Sequence, residues 1–330
     1  MKKRGRGIGL SFYGTGYGNG FPDVSNAWVR LLKDGKIGVY VGGAEVGQGA
    51  MTAFVQIAAE ALGVPHDRVL LEIEDTLTTP DSGTAAATRQ TYNTGNAIKI
   101  ACENFKEKLK EVAKDILNLN STAALEVKDG EVYLEIFPQK RVSLEKIADF
   151  LGGNILEAEG SFTAQTTKLD PETGQGAPYW PYTFSACGVE LEVDTITGQV
   201  DILKAVLVQD VGRAVNPHLV EGQMDGGYAM ALGYALFEDL NLKRGVMGNR
   251  KFSKYLIPTS MDVTELTKII VEDPESTAPY GAKGIGEPVM IPVTPAILNA
   301  IYDATGVRIT ELPITPENLA KAFSDFEKEG

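Results

Sequence analysis

The stretch Trp28-Val29-Arg30-Leu31-Leu32-Lys33-Asp34-Gly35-Lys36-Ile37-Gly38-Val39-Tyr40-Val41 decides the fold class. Two runs rich in β-branched and aromatic residues flank Asp34-Gly35, a dipeptide suited to the left-handed angles of a two-residue turn. The segment therefore reads as an antiparallel hairpin. Just beyond it, Met51, Phe54, Val55, Ala58, Ala59 and Leu62 recur on one helical face. They predict a helix over Ala50–Leu62, which Gly63 and Pro65 end. A hairpin leading into an amphipathic helix points to a chain of mixed strands and helices with antiparallel pairing.

Working outward, Val69–Glu74 reads as a strand, and a polar loop of small residues runs from Thr76 to Thr94. Ile98, Ala101, Cys102, Phe105, Leu109, Val112, Ala113 and Ile116 hold a long helical stripe. Two strands around Asp129-Gly130 and a short helix over Ser143–Leu151 follow. Phe184–Asp194 and Val200–Val208 form a second hairpin around Thr197-Gly198. Asn216-Pro217 places a cap residue before a first-turn proline, opening a helix to about Phe237 that is apolar on most sides and expected to be deeply buried. Thr294-Pro295 opens a helix over Ala296–Tyr302, and Thr315-Pro316-Glu317 opens the last one. The expected class is α+β: two lobes of mixed, largely antiparallel sheet with packed helices. The lobes are residues 1–160 and 161–330, the second carrying Glu287.

Bulk properties narrow the function. The 330 residues carry a formal charge of −13, which disfavours nucleic acid or an anionic membrane as partner. Two cysteines, Cys102 and Cys187, are too few for an iron–sulfur cluster within this chain. His66 and His218 lack metal-ligand spacing. The basic start Met1-Lys2-Lys3-Arg4 precedes glycine-rich sequence rather than an apolar signal core, and no stretch is apolar enough to span a bilayer. A cytoplasmic protein is expected.

Three segments depart from core-building patterns. Gly42-Gly43-Ala44-Glu45-Val46-Gly47-Gln48-Gly49 leads into the first helix, where unpaired N–H groups and the Gln48 amide would suit an anion or a heterocycle edge. Taken alone, an ordinary glycine-rich turn before a helix is the plainer reading. Thr79–Thr91 is long, small and hydroxyl-rich, with one cation, Arg89, suited to a phosphate or a carboxylate. A solvated loop is the alternative. In Gly281-Ala282-Lys283-Gly284-Ile285-Gly286-Glu287-Pro288, apolar neighbours Ile285, Val289, Met290 and Ile291 would desolvate Glu287 and tune it as a base. An exposed loop glutamate is the plainer reading. Gly14-Thr15-Gly16-Tyr17-Gly18 lacks the strand and helix of a dinucleotide fingerprint and reads as a flexible loop or an extended segment over a ligand.

The ordered set resembles the molybdenum hydroxylase family of xanthine dehydrogenase and aldehyde oxidase, in the C-terminal half of the molybdopterin-binding subunit. Glu45–Gly49 is similar to the family's pterin segment and Gly83–Arg89 to the segment beside molybdenum. Asp210-Val211-Gly212, Asn216-Pro217, Glu221-Gly222-Gln223 and Gly233–Leu236 match the helix region. Gly284–Pro288 is similar to the active-site glutamate motif. The resemblance implies molybdopterin as cofactor, with the cytosine dinucleotide form as one option. Its contacts would be Gly47, Gln48, Gly49, Thr84, Ala85, Ala86, Ala87, Thr88, Arg89 and Gly286. The metal would be held by the pterin dithiolene and not by side chains. Glu287 would be the base that takes the proton from a metal-held hydroxyl during oxidation of an N-heterocycle or aldehyde, with water as oxygen source. The implied partners are an N-terminal half, an iron–sulfur subunit and an FAD subunit. Several purine-oxidising members place a glutamine where this chain has Met230, which speaks against xanthine. The rival reading is a non-catalytic cofactor-binding or assembly module, inactive without the N-terminal half. A generic anion-binding α+β domain is a third.

Overall fold

A computed structural model describes residues 1–73 and 75–329. The chain begins with strand β1 (Lys2–Gly14), then β2 (Val24–Leu31) and β3 (Ile37–Val41), paired antiparallel across the predicted Asp34-Gly35 turn. Helix α1 (Ala50–Leu62) forms as read and ends on left-handed Gly63, whose N–H returns to the Ala59 and Glu60 carbonyls. Strand β4 (Val69–Glu72) is shorter than the expected Val69–Glu74, and Glu74 lies outside the described residues. Helix α2 (Gly95–Ile116) buries the stripe read from its sequence. Three short strands follow, β5 (Leu125–Lys128), β6 (Glu131–Leu134) and β7 (Phe137–Ser143), the last of them unanticipated. Helix α3 (Leu144–Leu151) is capped by the Ser143 hydroxyl, and β8 (Glu157–Thr163) closes this half.

The second hairpin is β9 (Tyr182–Asp194) and β10 (Val200–Asp210). Helix α4 (Pro217–Leu236) is capped as predicted, the Asn216 side-chain Oδ1 accepting from Leu219 N–H. The two-residue strands β11 (Leu242–Lys243) and β12 (Val246–Met247) precede β13 (Leu266–Val271), and helices α5 (Val293–Thr305) and α6 (Pro316–Glu329) finish the chain.

Two sheets organise the molecule, in the orders β4-β3-β2-β8 and β1-β9-β10-β13. One core gathers under the first sheet from α1, α2 and the β5–β7 layer, and a second under the other sheet from α4, α5 and α6. The α+β class with two lobes therefore holds. The division at residue 160 does not: β1 pairs with β9 along its whole length, so the first strand belongs to the second lobe. Residue 160 falls inside β8, a strand of the first sheet. The reason is packing without side chains. A Cβ on Gly5, Gly7 or Gly9 would stand 2.1, 2.2 or 2.0 Å from a backbone oxygen of Ala300, Ala296 or Pro292. Glycine lets α5 lie directly on β1.

Two further expectations change. The polar loop ends at Arg89, because Gln90–Thr94 forms a π-helical turn continuous with α2. Helix α4 is buried on one face only: Met224, Tyr228, Ala231 and Ala235 are enclosed, whereas Asp225, Met230 and Tyr234 are exposed. Among the described residues no helix is long and apolar enough to cross a membrane.

Candidate active site

The two lobes meet at a cleft of about 310 Å³, a volume at the small end of ligand pockets. Its wall comes from Gln48 and Gly49 before α1, Ala85, Ala86, Thr88 and Gln90, the segment Val211–Asn216 with the start of α4, and Ala282–Glu287. An amide pair ties α1 to the α4 cap across it, Asn216 Nδ2 donating to Gln56 Oε1 at 3.1 Å. The three segments singled out from sequence are thus brought together. Gly47, Thr84 and Ala87 are not part of the wall, and each lies beside residues that are.

The turn before α1 is closed by a side chain the sequence reading passed over. Glu45 Oε1 accepts from the N–H groups of Gly47 at 2.7 Å and Gly49 at 3.0 Å, and Oε2 from Met51 N–H at 3.0 Å. Burial opposes ionisation of Glu45, but these donors outweigh it and hold its carboxyl below the ordinary value. The expectation of unpaired N–H groups at this helix terminus therefore fails: Glu45 is the anion that occupies it. Gln48 is folded back as well, donating to Ala44 O at 2.9 Å and accepting from Val46 N–H at 2.6 Å. One amide hydrogen of Gln48 remains for a ligand.

Arg89 was expected to hold a phosphate or a carboxylate, and the structure shows a carboxylate. Its guanidinium is fully buried and paired with Asp23. The other four N–H groups go to the carbonyls of Ser82, Thr84 and Val24 and to Ser25 Oγ, which completes all five donors. The arginine lines the cleft with its neighbours, but its donors are all committed to fixing the loop. A Cβ on Gly83 would stand 2.6 Å from Arg89 Nη1, so glycine is required there.

The loop it fixes is strained. Ala87 and Thr88 both have positive φ, 51° and 58°, which is rare for a β-branched residue. Each costs on the order of 1–3 kcal/mol. Gly14–Gly18 helps to hold them: Gly16 N–H donates to Ala87 O at 2.9 Å, and Tyr17 N–H to Asp23 Oδ2 at 3.1 Å. The segment is thus pinned against the Thr79–Thr91 loop rather than left free.

The strain aims Thr88 at Glu287. Thr88 Oγ1 donates to Glu287 Oε2 at 2.9 Å and accepts from Glu287 N–H at 3.1 Å. The phenol of Tyr13, at the end of β1, donates to the same Oε2. Burial, and then the bond to Glu287, push the Tyr13 phenol well above its ordinary value, so it remains a donor. Below the motif, Lys283 is buried and bonded to Asp210 Oδ2 at 2.8 Å, anchoring the segment that leads to Gly284. Glu287 itself is exposed to the cleft mouth, and the expected wrapping by its apolar neighbours is not seen. Val289 turns instead into the core, where a Cβ on Gly227 would meet its Cγ2 at 2.4 Å.

The match to known families decides the membership. The profile of the molybdopterin cofactor-binding domain matches residues 1–264. The chain belongs to the molybdopterin cofactor-binding family. It is 36% identical over 328 residues to a xanthine dehydrogenase molybdenum-binding subunit of Escherichia coli, covering 96% of this chain and 42% of that protein. It is 34% identical over 329 residues to an aldehyde oxidoreductase of Megalodesulfovibrio gigas, covering 97% of this chain and 32% of that one. The structure of quinoline 2-oxidoreductase from Pseudomonas putida superposes with a TM-score of 0.84 at 28% identity, over 98% of this chain and 42% of that one. The chain thus spans less than half the length of these relatives.

The wall fits a molybdopterin. The buried Gln90 Nε2 has no partner within the protein, which leaves a donor for a heterocycle edge. A Cβ on Gly43 would collide with Gln90 Oε1 at 2.5 Å, so glycine makes room for that side chain. Gly286 keeps open space, its nearest neighbour Thr88 Oγ1 being 3.7 Å from a built Cβ. Among the described residues no group of three His, Cys, Asp or Glu side chains could hold a metal ion. Met230 is 58% exposed on α4 and is not among the residues of the cleft wall.

Proposed function

We propose that this chain forms the glutamate-bearing part of a molybdenum hydroxylase active site, oxidising an N-heterocycle or an aldehyde with water as oxygen source. Glu287 is the base. Both hydroxyl donors fall on Oε2, leaving Oε1 free to take a proton at the mouth of the cleft. That two-donor grip, at the end of a cleft shared with the Gln48 and Gly286 segments, is the observation that carries the reading. Molybdopterin, when bound, supplies the two-electron sink. Gln48, Gly49, Ala85, Ala86, Gln90 and Gly286 would hold it, with Gly47, Thr84, Ala87 and Arg89 shaping the turns that present them.

Activity is expected only in an assembly that adds the rest of the molybdenum-binding subunit, an iron–sulfur subunit and an FAD subunit. The 6-hydroxypseudooxynicotine dehydrogenase of Paenarthrobacter nicotinovorans, a complex whose gamma subunit is 31% identical to this chain, supports a multisubunit setting. The deciding experiment is Glu287→Gln in the assembled enzyme. Molybdopterin content should stay unchanged while turnover falls by several orders of magnitude. Near-normal turnover would end the proposal.

A further inference from the structure

The outer face of the sheet β1-β9-β10-β13 is divided into two halves of different chemistry. At one end Arg4 meets Glu192 at 3.3 Å and Arg6 meets Glu190 at 3.0 Å, as expected of a solvated face. At the other end the same face carries Ile8, Leu10 and Phe12, exposed by 67%, 73% and 67%, with Phe184, Ile269 and Val271 also exposed. Cross-strand register makes this one patch: Leu10 faces Ala186, Ala186 faces Val208, and Val208 faces Ile269. Phe12 stacks on Tyr182 and Phe184 with ring centroids 4.5 and 5.2 Å apart, so the aromatics are ordered without a cover. An antiparallel sheet facing water places polar residues outward, and only the charged half does so. A contiguous apolar patch of this kind marks an interface. Phe12 precedes the tyrosine that holds Glu287, with its own side chain on the opposite face of β1.

We infer that this apolar half-face seats the portion of the molybdenum-binding subunit that the chain does not span. The inference rests on the proposed function for the identity of the occupant. The chain matches 96% of its own length but only 42% of the Escherichia coli subunit, so that relative carries more than half its length beyond the matched part. A second copy of this chain is the poorer occupant: each would bring a charge of −13 to a face with no cation in its apolar half.

The test is co-expression of the full chain with the polypeptide from the same source that matches the remainder of these subunits, and measurement of their affinity. The wild type should form a 1:1 complex. Leu10→Glu/Ile269→Glu, with both side chains exposed, should keep the wild-type melting temperature and weaken the complex by roughly 100-fold or more. Lys204→Glu, in the charged half, should bind as the wild type does. Binding of the double variant within threefold of wild type overturns the inference. So does a wild-type homodimer that Leu10→Glu dissociates, or a wild type that does not pair with that polypeptide. A complex that forms on this face, yet turns over normally with Glu287→Gln, leaves the docking intact and removes the hydroxylase reading instead.

Discussion

Tyr13 and Glu287 lie 274 residues apart in sequence, and the phenol of the first donates to Oε2 of the second. The pair is aligned because β1 lies directly on α5, and the turn bearing Glu287 runs into α5. In the assembled enzyme Tyr13→Phe should lower kcat by about 10- to 100-fold, the range for losing a hydrogen bond to a charged group. Thr88→Val should do the same. The double variant should cost less than the sum, since both donors act on one oxygen. A Tyr13→Phe kcat within twofold of wild type would dismiss this role.

Arg89→Met leaves Asp23 charged and buried with no cation beside it. Breaking a buried pair in this way costs about 3–5 kcal/mol. For a chain of this size the melting temperature should fall by on the order of 10 °C, readable by thermal denaturation. A change of a degree or two would mean that the loop relaxes to solvate Asp23.

Gly7 and Gly188 sit on opposite faces of the same sheet and should respond oppositely to alanine. At Gly7 the new Cβ would be 2.2 Å from Ala296 O, and α5 would have to lift. The expected loss is about 1–3 kcal/mol. At Gly188 nothing lies within 4 Å, and the change should be close to neutral. Urea unfolding of the two variants checks the contrast, and equal midpoints would refute the direct seating of α5 on β1.

Glu45 supplies a pH dependence. Burial raises its carboxyl pKa, but the N–H donors of Met51, Gly49, Gly47 and Gln48 more than offset this, and the folded value lies below the ordinary 4.5. A depressed folded pKa contributes stability above the unfolded value and loses it as pH falls through the folded value. Glu45→Gln should therefore be less stable than wild type at neutral pH, with the gap closing below about pH 4.5. Unfolding midpoints at pH 7 and in that acid range measure it. A gap independent of pH would show that the carboxylate's charge is not what holds the turn.

The parts of the fold that announce themselves in sequence are those whose inward residues are apolar. The hairpin around Asp34-Gly35, α1, the α2 stripe and the Asn216 cap were all legible for that reason. β1 was not, because its alternation is inverted. Gly5, Gly7 and Gly9 face the core, while Ile8, Leu10 and Phe12 face out, so neither face reads as a buried strand. The site was legible in part. The Gly-Ile-Gly-Glu-Pro, Glu45–Gly49 and Thr84–Arg89 segments were found, because glycines and hydroxyls are rare together in core-building stretches. Tyr13 and Asp23 were missed, since each acts through a partner distant in sequence and no local pattern marks it. Arg89 and Glu45 look like surface charges until their donors and acceptors are matched. Such matching is a property of three-dimensional neighbours and not of spacing.

The seating of β1 beside β9 has a consequence for biosynthesis. β1 is made long before its neighbouring strand, which begins at Tyr182, and before the helix beneath it, which begins at Val293. Until both are made, the Gly5-Gly7-Gly9 face of β1 has no helix to lie on, a condition that favours slow, long-range closure and invites aggregation. The order in which this chain is made runs against the order in which its second lobe can close. A nascent-chain chaperone, or a partner already waiting at the ribosome, would ease that conflict at its source.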